Sequence, residues 1–141
     1  MANYYGMTRT NYFAVTDADR FKEIVGKLDG EGEIGYYEHE DDKGKFMFYC
    51  ECNLNGYIED EDDEDSWDNA WDNMVRQLQT ILPKGEAIII TDVGNEKMRY
   101  LTARSLIITA NSTTCVDLGE VALAEAARAL GNPGYTTQMD Y

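Results

Sequence analysis

The stretch Ala87-Ile88-Ile89-Ile90-Thr91-Asp92-Val93 decides the fold. It is a near-continuous apolar, β-branched run, as expected of a central strand covered on both faces. Pro83-Lys84-Gly85 before it ends a helix. That helix spans residues 66–82, with Ser66 as N-cap and Trp67, Ala70, Trp71, Met74, Leu78 and Ile81 on one apolar stripe at three- and four-residue spacing. After the run, residues 98–102 and 106–109 carry strand character and residues 113–116 form a short last strand. Asp117-Leu118-Gly119-Glu120 resembles a capping box for an alanine-rich helix that reaches Leu130, where Gly131-Asn132-Pro133-Gly134 breaks it.

Towards the N-terminus, residues 45–52 alternate. Phe46, Phe48, Cys50 and Cys52 share one face, taken as core, and Met47, Tyr49 and Glu51 share the other. Asp41-Asp42-Lys43-Gly44 is a hairpin-type turn joining this strand to residues 33–39. Residues 8–15 suit a first strand. Thr16 is the expected N-cap of a helix carrying Phe21, Ile24, Val25 and Leu28 at helical spacing, ended by Asp29-Gly30-Glu31-Gly32. The order is β-α-β-β-α-β-β-β-α. Short turns between strands make this a single α+β domain over residues 1–141, a mostly antiparallel sheet with about three helices packed on it.

The 141 residues are 43% hydrophobic, enough for a sizeable core. No stretch approaches the roughly 18 apolar residues of a membrane span. Residues 1–7 lack the cationic start and apolar core of a signal peptide, so a cytoplasmic setting is expected. Twenty-seven acids face twelve bases, for a net charge of −15. Such a chain is not expected to bind nucleic acid or an anionic membrane directly; it favours basic partners, cations or plain solubility.

The charge is concentrated in Glu59-Asp60-Glu61-Asp62-Asp63-Glu64-Asp65, and Asp68 and Asp72 extend it along the following helix. One reading is a solvated loop that maintains solubility. The sharper one is a mimic of a nucleic-acid backbone. Alternate side chains of an extended segment sit about 6.6 Å apart, and helical positions i and i+4 about 6 Å apart; both are close to the spacing of successive phosphates. Calcium is a poorer match. An EF-hand frame starting at Glu61 puts Ser66 where glycine belongs and Asp72 where the bidentate glutamate belongs.

Cys50, Cys52 and Cys115 are expected to be reduced thiols packed as small hydrophobes; with His39 they make a zinc set only on paper. No spacing suggests a nucleophile–base pair, and no phosphate-binding or dinucleotide glycine pattern occurs.

The segments Tyr4-Tyr5-Gly6-Met7-Thr8-Arg9-Thr10-Asn11-Tyr12-Phe13 and Tyr135-Thr136-Thr137-Gln138-Met139, with the 87–93 run and its Gly94, resemble small acidic proteins of unassigned function carried on bacterial mobile elements and phages. The resemblance brings no catalytic residues. It implies a genetic setting in which anti-defence proteins are common, and the chain is similar in charge and size to acidic anti-CRISPR and anti-restriction proteins that mimic DNA. The expected function is non-enzymatic inhibition of a basic nucleic-acid-binding protein such as a CRISPR effector or a restriction enzyme. The expected partner-binding residues are Glu59, Asp60, Glu61, Asp62, Asp63, Glu64, Asp65, Asp68 and Asp72, with no catalytic residue, cofactor or metal. The alternatives are an accessory module of a mobile element, binding through its sheet or aromatic N-terminus, and an enzyme that uses scattered carboxylates and a metal.

Overall fold

The computed structural model describes residues 4–97 and 99–138. Met98, which opens the strand expected over 98–102, and residues 139–141 of the tail lie outside them. The chain is α+β, with a mostly antiparallel sheet and, among the described residues, four helices where about three were expected.

The central strand is β7, Ile88–Glu96, paired antiparallel on one side with β1, Tyr4–Thr10, and on the other with β8, Tyr100–Ile108. Only one of its faces is covered. Ile88 and Ile90 are buried while Ile89 and Val93 are exposed, which corrects the expectation of cover on both faces. The strand pieces expected at 98–102 and 106–109 are one strand. Beyond it lies β9, Thr113–Asp117, at the sheet edge.

On the other flank, β1 pairs with β5, Lys45–Cys50, which pairs in turn with β4, Ile34–Glu38. The strand expected over 8–15 is broken. Asn11 accepts from the Ile89 N–H at 2.7 Å through its side-chain oxygen and donates to the Ala87 carbonyl at 3.1 Å, so its amide substitutes for a rung of the ladder. The chain then steps onto β5 as the two-residue β2, Phe13–Ala14.

Helix α1, Ala18–Gly26, starts one residue later than expected. Asp17 is the N-cap, accepting from the Arg20 N–H, and the Thr16 N–H bonds instead to the Ile81 carbonyl. Leu28 has left the helix. It opens β3, Leu28–Gly30, which pairs with β6, Leu54–Tyr57, and neither strand was expected.

Phe46, Phe48 and Cys50 are buried as expected. Cys52 lies past the strand end and is half-buried, and Met47 is buried although it sits on the opposite face. Phe21 of α1 touches the rings of Phe13, Tyr36, Phe46 and Phe48, with centroids 4.9–6.5 Å apart. Met74, Leu78, Ile81, Ile88 and Ile108 continue this core.

The expected helix over 66–82 is two helices: α2, Glu64–Asp68, and α3, Ala70–Thr80. Asp63, not Ser66, caps the first by accepting from the Asp65 N–H. Ala70, Met74 and Leu78 are buried, but Trp67 and Trp71 are 45% and 39% exposed, so the indoles border the stripe and do not fill it. Helix α4, Leu118–Leu130, has the expected Asp117 cap and the left-handed Gly131 after it, but buries no residue.

Gly56 seats α3 on β6. Its φ is +134°, and a Cβ there would lie 2.4 Å from backbone atoms of Ala70. Gly56→Ala is expected to lower stability by at least about 2 kcal/mol, from backbone strain plus overpacking. Gly26→Ala, in open space at the end of α1, is expected to raise it by about 0.5–1 kcal/mol. Urea denaturation of both variants checks the pair.

Candidate functional site

Residues 59–63 leave the buried anchor Tyr57-Ile58 and turn into α2. Seven carboxylates in a row repel one another. Two unit charges 6 Å apart in water oppose each other by about 0.7 kcal/mol, so the local structure must be held by something else. The holding group is Ser66. Its side chain is buried, and its Oγ accepts from the backbone N–H of Glu59 at 2.9 Å and of Asp60 at 3.0 Å.

The acids also bond to their own backbone. Asp60 Oδ1 accepts from the Asp62 N–H and Asp63 Oδ1 from the Asp65 N–H, both at 3.0 Å. Trp67 closes the turn by donating its indole N–H to the Glu61 carbonyl at 3.0 Å. At the junction of α2 and α3, Asn69 donates its backbone N–H at 3.1 Å and its side-chain amide at 2.9 Å to the Asp65 carbonyl.

All nine expected partner-binding acids are exposed, but they do not form one row. Glu59, Asp60, Asp63, Asp65 and Asp72 surround a shallow hollow, with Ser66, Asn69, Asn73 and Arg76 in its floor and wall. Glu61 turns to a second hollow beside Trp67, Lys27 and Asp29. Asp62, Glu64 and Asp68 line neither. The ion pairs Arg20–Glu23, Lys45–Asp42, Arg104–Asp92 and Arg128–Glu125 all lie elsewhere. Arg76 is the cation at the acidic hollow, and it bonds to Asn73. Such an arrangement attracts cationic groups over a range set by the salt. Sequence reasoning missed Asn69, Asn73 and Arg76, although they fall on the helical face of Asp65 and Asp72 at three- and four-residue intervals.

The other candidate groups have local roles. His39 Nδ1 accepts from the N–H groups of Asp41 and Asp42, and its ring meets Tyr12 edge-on. Cys50 points at the Glu31 and Asn53 carbonyls, and burial pushes its thiol pKa up. Among the described residues no group of three or more His, Cys, Asp and Glu side chains is placed to hold a metal ion.

Two further surfaces stand out, the first not expected and the second on the sheet that the alternative reading invoked. One is an apolar slot between Trp71 and the sheet, lined by Leu54, Ile90, Leu106 and Cys115, with the pair Asp92–Arg104 (3.4 Å) in its wall. The other is the open face of the sheet, where Tyr37 stacks on Tyr49 at 5.7 Å and Tyr49 donates to Glu33 at 3.1 Å.

The chain matches no family model, no curated protein and no solved structure. No helix among the described residues is long and apolar enough to cross a membrane.

Ser66→Ala is expected to remove about 1–2 kcal/mol of stability, because two N–H groups lose their acceptor. Amide hydrogen exchange should quicken first at Glu59 and Asp60. Loss of solvent and the neighbouring Glu33 carboxylate push the Tyr49 phenol up to about 12. The folded phenol then keeps its proton at pH values where the unfolded one, near its ordinary 10, gives it up. The stabilisation is present below about pH 10 and lost as pH rises towards about 12. Ultraviolet titration of Glu33→Gln should show one tyrosine ionising at lower pH than in the parent.

Proposed function

We propose that the protein is a non-enzymatic inhibitor that occupies a basic, nucleic-acid-binding cleft of a host defence nuclease, of the CRISPR effector or restriction enzyme kind. The observation that carries this reading is the acidic hollow. Glu59, Asp60, Asp63, Asp65 and Asp72 are exposed around it; the backbone of Glu59 and Asp60 is held by Ser66, that of Asp65 by Asp63 and Asn69, and Asp72 is carried on α3. A backbone mimic needs negative charges fixed before binding, because ordering a loop on contact subtracts from affinity. A merely solubilising loop needs no such scaffold. The remaining acids, Glu61, Asp62, Glu64 and Asp68, stand outside the hollow and add to the negative field that steers the encounter.

A second reading, an accessory module of a mobile element, draws on the open sheet face with its Tyr37–Tyr49 stack and exposed Tyr5 and Met7. A partner bound there would be largely insensitive to salt.

The test is the combined variant Glu61→Gln, Asp63→Asn, Asp65→Asn and Asp68→Asn, assayed for blocking DNA binding by a panel of CRISPR effectors and restriction enzymes. The amide introduced by Asp63→Asn retains an oxygen that can cap α2. At about 0.5 kcal/mol for each exposed charge pair, four neutralisations should raise the inhibitory concentration about 30-fold. In the parent, inhibition should weaken steeply with added salt. A folded variant that inhibits as well as the parent overturns the proposal.

A further inference from the structure

The two edges of the main sheet are treated differently. Strand β4 is bordered by α1 and β3, whereas β9 has β8 on one side and, among the described residues, no strand on the other. Thr113-Thr114-Cys115-Val116 are all exposed. An exposed edge is normally blunted by lysine, proline or a bulge. Strand β9 has none of these, and its pairing with β8 runs without interruption from Thr113 to Asp117.

Its main chain also presents a defined set of groups. The Thr109 N–H donates to the Ser112 carbonyl at 2.9 Å. Antiparallel alternation from that rung turns the N–H and C=O of Thr114 and Val116 towards β8. Those of Thr113 and Cys115 then point off the edge, while the carbonyl of Asp117, the N-cap of α4, is taken by the first turn of that helix.

Charge says what can approach. Residues 97–116 contain Lys97, Arg99 and Arg104 and no acid, in a chain of net charge −15. Within β9 the exposed Thr113–Val116 carry no acid, and Asp117, which ends the strand, lies opposite Arg104 of β8, so this edge opposes the approach of another copy of so acidic a protein less than the acidic surface does. Apolar surface accompanies the edge. Helix α4 follows β9 directly and packs mainly on β8 and β9, yet Leu118 and Leu130 are 61% and 63% exposed and Val121 is exposed as well. A helix of this kind is ordinarily held by burying an apolar face. A five-residue strand pair alone falls short of the roughly 1,200 Å² of a stable interface, so pairing at this edge calls on these exposed apolar side chains as well.

We propose that β9 is a self-association edge, pairing antiparallel with β9 of a second copy about a two-fold axis at Cys115. The two Cys115 residues then exchange both main-chain hydrogen bonds, with Cα atoms about 5.5 Å apart and side chains on the same face of a continuous sheet. That separation lies within the range a disulfide can span.

Light scattering of the full chain in reductant, at high micromolar concentration, should give twice the 16.0 kDa chain mass. In a Cys52→Ser background, with Cys50 buried, copper–phenanthroline oxidation should convert this dimer to a covalent one, and Cys115→Ser should abolish the link. Cys115→Pro removes an N–H that points away from β8, so the ladder within the chain is kept and the mass should halve. Thr113→Lys with Cys115→Lys serves the same end if the proline variant does not fold. A monomer throughout the concentration range overturns the proposal. So does a dimer that cannot be linked through Cys115, or one that survives both edge variants.

Discussion

The approach of Gly56 to the backbone of Ala70 is the contact on which the acidic surface depends. The space where a Cβ would stand is taken by a carbonyl of the first turn of α3. The helix can therefore lie directly on β6, with Ala70, Met74 and Leu78 driven into the core. Because α3 is fixed at its first turn, the short α2 before it and residues 59–63 before that are fixed as well. Ser66 and Asn69 then have backbone within reach to hold. A larger residue at position 56 would lift the helix, and the acids would lose their common frame.

Stability and charge are segregated in this molecule. The aromatic cluster around Phe21 and the Ile88, Ile90 and Ile108 layer bury apolar area, at about 25 cal/mol for each Å² removed from water. The acids of residues 59–72 oppose the compact state by mutual repulsion. The compensation is local: carboxylates at the start of α2 face its positive end, and Asp60 and Asp63 accept from the N–H groups of Asp62 and Asp65. Repulsion left uncompensated is weakened by salt. The same segregation leaves residues 97–116 without acids, so the acidic surface and the acid-free stretch of the sheet occupy different parts of the fold.

Much of the fold was legible because alternation and helical spacing are local. The 87–93 run, the 45–50 strand, the core face of Phe46, Phe48 and Cys50, and the Asp117 cap all follow from neighbours in sequence. Misreadings came where a distant group won. Asn11 breaks the first strand because it bonds to residues 87 and 89, which no local pattern reveals. Strands β3 and β6 are three and four residues long and stabilise each other, so neither has a strong pattern of its own. Trp67 and Trp71 have the spacing of core residues, but the volume beneath the helix is already filled by Met74 and Leu78.

By itself the sequence determined an acidic α+β protein whose carboxylates crowd into residues 59–72, since composition and periodicity are properties of the chain. Only the tertiary structure decided which of those carboxylates share a surface. Glu59, Asp60, Asp63, Asp65 and Asp72 converge on one hollow, while Glu61, Asp62, Glu64 and Asp68 stand outside it. The reason is physical. Charge along a chain is additive, but its direction in space is set by a turn around Ser66 and a helix seated on Gly56, and both depend on contacts outside the acidic run.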